Sequence, residues 1–263
     1  MGEDRAVDGR GLPEGDGVKV AAVVVSHGHP HELEQSLPVL RAQVDELVVI
    51  ANIPGSLPAG VDAVHNVEPL GFGANVNLGA ARTTAELIVS ANPDAVPEPG
   101  AIDALRSFMA DHPRCGIAGP RMVFPDGTWQ PSRRRFPTIT GTVVRRTPLR
   151  LAVPQRRHFH LDESPPTGPV EADWMLGGFL MLRRAMLDEL GGFDEGFRLY
   201  GEDIDLAYRA MRAGWERWYV PQAIVSHEHK AETDKRWLTR RTLWHWAGIA
   251  RFVRKHPETL RSL

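Results

Sequence analysis

Glu202, Asp203 and Asp205 crowd into four positions of the stretch GGFDEGFRLYGEDIDLAYRAMRAGW, residues 191–215. Carboxylates this close repel one another unless something uses their charge. One of them can take a proton from a substrate hydroxyl while its neighbours hold it in place or bind a cationic group, which is general-base chemistry. They can equally complement the positive end of a helix dipole, at roughly 0.3–1 kcal/mol each. Ile204, Leu206, Ala207, Ala210 and Met211 recur at helical spacing and predict a helix from near Gly201 to just before Gly214, with the acids in its first turn. Asp205 then lies one turn from Arg209 and suits an ion pair with it.

Other residues with chemical capacity are more weakly patterned. His27, His29 and His31 alternate around Pro30, but alternation in a loop does not assure that they converge on a zinc ion, and they fit a ligand pocket or solvent better. Gly71, Gly73 and Gly79 suggest a dinucleotide fingerprint, yet Val76 fills the place where that pattern needs glycine. The segment reads instead as a loop and helix start. Either Asn75 and Asn77 offer hydrogen bonds to a ligand there, or Asn77 is buried and paired in an ordinary turn.

The elements that position these residues follow from periodicity. Val18–Ser26 is a β-branched run, read as a buried strand. Residues 30–42 carry Leu33, Leu37 and Leu40 at helical spacing; 45–51 and 61–66 read as strands, 73–82 as a helix, 86–91 as a strand ending at Asn92-Pro93-Asp94, and 101–111 as a helix. Strands alternating with helices predict a parallel α/β sheet, whose ligands bind beyond the strand carboxyl ends. In the second half, 116–124 reads as a strand, Pro125-Asp126-Gly127 as a turn into Thr128-Trp129-Gln130, and 131–170 as an irregular Pro- and Arg-rich loop. Residues 171–182 read as a strand or strand pair broken at Gly177-Gly178, 184–190 as a short helix, 218–221 as a strand, His227 as part of a turn, and 235–255 as a basic helix.

The chain has 263 residues, of which 42% are apolar, enough for one large core. Cys115 is the only cysteine, so an internal disulfide and a cysteine-based zinc site are excluded, which suits a reducing compartment. Residues 1–17 are acidic and glycine-rich and read as a disordered tail, without the apolar core of a signal peptide. No run of eighteen apolar residues is present, so a cytoplasmic protein is expected. Net charge is −2, but 131–160 holds eight arginines and no acid, and nine Lys or Arg follow from Lys230 onward. Such blocks favour a phosphate-bearing ligand or an anionic membrane surface. Nucleic acid is not expected, because no zinc-finger or RNP-type motif accompanies the charge.

The order VVVSHGHP, EPLGFGANVNLGA, LIVSANPDAVP, WMLGGFLMLRR, GGFDEGFRLYGEDIDLAYRAMRAGW and VPQAIVSHEH resembles the family 2 glycosyltransferases of the GT-A fold, and more narrowly their bacterial rhamnosyltransferase-like members. The resemblance runs from about Val18 to His229, and its specificity lies in several motifs keeping order and spacing. It implies an α/β, Rossmann-like GT-A fold: a mostly parallel sheet flanked by helices, with a nucleotide-sugar half at 18–125, an acceptor half at 126–230 and a C-terminal helical extension at 231–263. It implies a nucleotide-diphosphate sugar donor, a Mg2+ or Mn2+ ion bridging the diphosphate, and a glycan or lipid-linked glycan acceptor.

Residue by residue, the family pattern places the nucleobase against Val25 to His29, hence Ser26, His27 and Gly28, although many members have Asn where Gly28 stands. Gly71, Gly73, Asn75 and Asn77 fall on the donor side. Asn92-Pro93-Asp94 occupies the family's aspartate-any-aspartate position, with Asn92 replacing the first acid and Asp94 left as metal ligand. A single carboxylate suffices for Mg2+ or Mn2+ when phosphate and water complete the shell, while an Asn-Pro-Asp turn that simply stops a strand is the alternative. His227 matches a histidine beside the metal or diphosphate. Glu202-Asp203 matches the acidic pair, with Asp203 as general base and Glu202 orienting acceptor or base. Trp174, Gly177 and Gly178 match the acceptor segment, where Trp174 either stacks on a sugar or belongs to the core.

Trp237, Leu238, Leu243, Trp244, Trp246, Ile249 and Phe252 sit among arginines in the C-terminal helix. The helix suits either peripheral contact with the inner face of the plasma membrane or packing on the domain with its arginines in solvent. Asn92 and Gly28 also keep open a catalytically weakened nucleotide-sugar-binding scaffold. A nucleotidyltransferase lacks its glycine-rich basic signature here.

Overall fold

The computed structural model describes residues 17–136, 164–228 and 240–260. All but the last residue of the expected tail, most of the Arg-rich loop (Arg145, Arg146, Arg150, Arg156 and Arg157 among it) and the start of the basic helix, with Trp237 and Leu238, lie outside the described residues.

β1 (Val20–Ser26) is buried along its whole length, as a β-branched run between two helical layers must be. It lies between β2 (Glu46–Ala51) and β4 (Leu87–Ala91), parallel to both. β3 (Val64–His65) extends β2, and is shorter than the expected strand at 61–66. α1 (Pro30–Arg41) starts with Pro30 in its first turn and buries Leu33, Leu37 and Leu40. α2 (Phe72–Ala80) packs against β1 so closely that a Cβ on Gly79 would stand 2.3 Å from a Val23 methyl.

Beyond β4 the sheet is mixed, in the order β3-β2-β1-β4-β11-β6-β12-β5. β6 (Cys115–Val123) and β12 (Glu216–His227) point the same way as β1 to β4, whereas β5 (Ala95–Pro97) and β11 (Phe179–Arg183) run against them. α3 (Ala101–Asp111) packs between β5 and β6 in sequence and buries Ile102, Leu105 and Met109. β7 (Trp129–Gln130) folds back on β6, β9 (Val170–Glu171) pairs with β12, and β8 (Arg133–Arg134) pairs with β10 (Trp174–Met175) as a small separate ribbon.

The expected strand at 218–221 is part of a strand twice interrupted in register, and His227 ends that strand rather than sitting in a turn. Pro221 reads as a terminator because it cannot donate to a ladder. A register shift between Val220 and Ile224 places Pro221 in a bulge, so pairing with β6 resumes at Ile224 and carries His227 to the sheet edge.

Two arginines hold the second half on the first. At the end of β11, Arg183 donates to the carbonyls of Cys115 (2.8 Å) and Met109 (2.6 Å), and Arg184 donates to those of Ala85 (2.6 Å) and Thr83 (2.9 Å). Arg184 also opens α4 (Arg184–Leu190), which leads into α5 (Glu202–Arg212).

α6 (Arg240–Lys255) and a following 3-10 turn dock on this region. Phe252 is buried between Phe197 and Tyr208, while Trp246 is exposed. Arg251 and Lys255 donate to Asp194, at 2.7 and 2.8 Å. No helix among the described residues is long and apolar enough to cross a membrane.

Candidate active site

The carboxyl edge of the sheet gathers the residues with chemical capacity. After β4 the chain turns through Asn92-Pro93-Asp94 into β5, whose pairing with the last residues of β12 sets His227 opposite Ala95. Asp94 Oδ1 consequently faces His227 Nε2 at 3.5 Å, and the Asn92 side-chain amide meets the same nitrogen at 3.3 Å. Asn92 N–H donates to the Gly178 carbonyl at 2.8 Å. On the far side of the ring, His227 Nδ1 lies 3.2 Å from Gln130 Oε1.

Gly177 and Gly178, between β10 and β11, stand between the Glu202-Asp203 pair and the Asn92/Asp94/His227 group. Gly177 N–H donates to Asp203 Oδ2 at 3.1 Å. A Cβ on Gly178 would come 3.1 Å from His227 Nε2 and 3.4 Å from the Asn92 amide, so this position admits no ordinary side chain without displacing one of them. Adjacent residues therefore touch Asp203 on one side and the Asn92/Asp94/His227 group on the other.

α5 begins at a strained corner. Tyr200 has φ of 68°, the only positive value at a non-glycine among the described residues, and Gly201 follows at 99°. Glu202 and Asp203 then occupy the first turn. Glu202 is 7% exposed, and its Oε2 meets no hydrogen-bond partner among the described residues. Asp203 Oδ1 accepts from Ile204 N–H at 2.9 Å. Burial pushes both carboxyls above the ordinary range, and the neighbouring Asp203 charge raises Glu202 further, while the backbone donors partly offset the effect at Asp203. Carboxylates largely withdrawn from water, with no cation beside them among the described residues, are suited to accept a proton near neutral pH.

Asp205, three residues on, is fully buried and compensated: Arg209 Nε lies 2.7 Å, His256 Nε2 2.8 Å and Lys255 Nζ 3.0 Å from its carboxylate. The expected pair with Arg209 is present, and α6 adds to it.

The other predicted residues fall into two groups. Ser26, His27 and Gly28 follow β1 at the same edge. Ser26 Oγ donates to Ser56 O at 2.6 Å, His27 Nδ1 lies 3.0 Å from the Asn52 amide, and Gly28 has φ of 88°. Gly71, Gly73, Asn75 and Asn77 face protein. A Cβ on Gly71 would strike the Phe197 carbonyl at 2.5 Å and one on Gly73 the Phe193 side chain at 2.7 Å. Asn75 is buried, accepts from Asn66 at 2.6 Å and donates to Gly71 O at 2.9 Å. Asn77 accepts from Phe193 N–H at 2.8 Å and donates to Phe193 O at 2.9 Å, pinning α2 to the loop that leads to α5. Trp174 packs on the core and donates from Nε1 to Arg135 O at 2.7 Å.

Asn52, Asn66 and Gln130 were not singled out by sequence reading. Asn52 bridges Leu70, donating to its carbonyl at 3.0 Å and accepting from its N–H at 2.8 Å, which shapes the loop above β1. Only their place after predicted strands or turns could have marked them.

The donor set suits a hard divalent cation in part. Asp94 and His227 converge, but no cluster of three or more His, Cys, Asp or Glu able to hold a metal exists among the described residues. Two protein ligands fit a cation that takes the rest of its shell from phosphate and water.

Comparison with solved structures gives the class. The chain superposes on GalNAc-T7, in a structure with UDP, GalNAc and Mn2+, with a TM-score of 0.63 at 15% identity, covering 95% of this chain and 52% of that one, or about half its length. It superposes on the mannosyltransferase PcManGT from Pyrobaculum calidifontis, in complex with GDP-Man and Mn2+, with a TM-score of 0.52 at 16% identity, covering 92% and 72% of the two chains. The fold is that of the GT-A glycosyltransferases.

The family follows from sequence. The family model described as "Glycosyltransferase like family 2" matches residues 37–247. An N-acetylglucosaminyl-diphospho-decaprenol L-rhamnosyltransferase of Mycobacterium tuberculosis is 35% identical, covering 84% of this chain and 78% of that protein. Rhamnosyltransferase WbbL of Escherichia coli is 23% identical over 89% of this chain and 92% of its own. The chain belongs to the family 2 glycosyltransferases.

Proposed function

We propose that this glycosyltransferase is inverting and divalent-cation-dependent, and moves rhamnose from dTDP-rhamnose to a hydroxyl of a cell-surface glycan or its lipid-linked precursor. The observation that carries the reading is the pair Gly177-Gly178, whose neighbours are Asp203 on one side and His227 with Asn92 on the other. A base for the acceptor and a group for the donor diphosphate are thereby held within one short stretch of backbone. The names of the 35% and 23% identical relatives support the sugar, and that of the first supports a diphosphate-linked acceptor.

In this reading residues 18–125 hold the donor and 126–230 the acceptor. Asp203, oriented by Gly177 and Ile204 N–H groups, takes the acceptor proton as its oxygen attacks the anomeric carbon from the face opposite the leaving diphosphate. Glu202 orients the acceptor with its unpartnered oxygen. Asp94 and His227 would hold Mg2+ or Mn2+, which when bound neutralises charge on the departing diphosphate. Ser26, His27, Gly28 and Asn92 line the donor side and Trp174 the acceptor side. The setting is the cytoplasm, near the inner face of the plasma membrane.

A catalytically weakened donor-binding scaffold is the second reading, favoured by Asn92, whose amide is turned to His227 where the family has an acid. A thermal-shift panel of nucleotide sugars with and without Mn2+ identifies the donor by mass action. Transfer or hydrolysis of that donor, dependent on Mn2+ and abolished in Asp203→Asn, is the expected result. Donor binding without turnover on any acceptor would favour the scaffold.

A further inference from the structure

We infer that Gln130 is a positioning residue that fixes His227 in the Nδ1–H tautomer, so that Nε2 presents its lone pair toward Asp94. Gln130 reaches His227 because of the hairpin between β6 and β7. Asp126 accepts from Thr128 N–H at 2.8 Å and from its hydroxyl at 2.6 Å, tightening the turn, and the return strand pairs Gln130 with Met122. β6 is in turn the parallel neighbour of β12, so two steps of sheet register set Gln130 beneath the imidazole. Gln130 is 3% and His227 5% exposed, so water does not compete freely for the contact.

A neutral imidazole has one donor and one acceptor nitrogen, and the partner of one decides the state of the other. Gln130 places its carbonyl oxygen, an acceptor, 3.2 Å from Nδ1, which requires the proton there. From the opposite side of the ring, the Asn92 amide nitrogen, a donor, stands 3.3 Å from Nε2, which requires the lone pair there. Two amides, one on β7 and one in the turn after β4, thus ask for the same tautomer. The Asp94 carboxylate, 3.5 Å from Nε2, makes no short N–H···O bond there; its charge alone would favour a proton on Nε2, so the two amides decide the tautomer. A lone pair and a carboxylate facing one another across such a gap form an arrangement that a cation stabilises.

The cation-binding role of Asp94 and His227 belongs to the proposed function, on which the use of this tautomer rests; the tautomer itself is independent of it. Gln130→Met removes the acceptor at similar volume, and Gln130→Glu retains an oxygen acceptor. In protein labelled with 15N-histidine, without metal or donor, the ring nitrogens of His227 are expected to show the Nδ1–H form in wild type and Gln130→Glu, and a substantial Nε2–H population in Gln130→Met. Mn2+ binding followed by electron paramagnetic resonance with MnCl2 alone is expected to weaken about 10-fold in Gln130→Met and to be largely kept in Gln130→Glu. An Nε2–H form in the wild type, or an unchanged tautomer in a folded Gln130→Met, overturns the inference. If the wild type holds the Nδ1–H form but binds no Mn2+, the tautomer assignment stands and the cation reading falls.

Discussion

Asp194 and Asp205 on one hand, and Glu202 and Asp203 on the other, lie within the same loop and helix yet meet opposite surroundings. Asp194 accepts from Arg251, Lys255 and the Gly196 N–H, and these donors hold its carboxyl well below the usual range against the opposing effect of burial. Asp205 has Arg209, Lys255 and His256 around it. Glu202 and Asp203 have no cation beside them among the described residues, and burial pushes their carboxyls up. Where α6 covers the region Asp194 and Asp205 are neutralised; where Gly177 faces it no cation among the described residues compensates the acids. Acids of the first kind hold the domain together, and acids of the second kind carry a cost in stability, as the proposed role toward substrate would require.

The sharpest break between the two groups is expected in activity. Asp203→Asn keeps the shape and the Gly177 and Ile204 N–H neighbours but removes the proposed base, and should lower transfer about 10³-fold with the fold retained. A transfer assay beside circular dichroism checks this; a variant retaining a tenth of wild-type rate would remove Asp203 from the role of base. Asp205→Ala should do the reverse. It leaves Arg209, Lys255 and His256 around a vacated site and should cost about 3 kcal/mol in urea unfolding. Equal stability of this variant and the wild type would show that the charges around Asp205 are not an anchor.

Much of this division was within reach of the sequence, because helical spacing alone puts Glu202, Asp203 and Asp205 in one first turn and Arg209 one turn later. β1 and β4 were legible for a related reason, since a strand buried on both faces is a continuous apolar run. What escaped was anything decided by distant partners. Asp194 and Arg251 are 57 residues apart and Asn77 and Phe193 116, so the docking of α6 and the inward turn of Asn77 were legible only as one of two alternatives, and the partner of Arg251 not at all. The length of β12 was hidden by Pro221, which removes a ladder donor and is accommodated here at a bulge, and Gln130 is brought to His227 by hairpin register alone.

The unpaired group should also reveal itself through pH. Glu202 has a folded pKa raised from 4.5 to about 8, so the folded state binds its proton more tightly and stability falls as pH rises through that window. Glu202→Gln abolishes the titration. It should raise Tm over wild type by about 5 °C at pH 8 and by little at pH 4.5, in differential scanning calorimetry. A difference that stays flat with pH would mean that Glu202 ionises at no cost.

Asp194 supplies the opposite slope and the smallest effect. Its folded pKa lies below the ordinary aspartate value of 3.8, so its ion pairs stabilise the protein above that value and the contribution is lost as pH falls through and beneath it. The Arg251 and Lys255 side chains are about a third exposed, which limits what the pairs contribute. Asp194→Asn should therefore cost about 1 kcal/mol at pH 7 and progressively less below pH 4, converging on wild type where the wild-type carboxyl is protonated. Measured together, the two variants give difference curves of opposite sign, with Glu202→Gln diverging from wild type toward alkaline pH and Asp194→Asn converging toward acid. If both curves shared one sign, compensation by α6 would not be what separates the two groups of acids. Their difference would then have to come from depth of burial alone, which Asp205, the most buried and the most fully paired of them, already argues against.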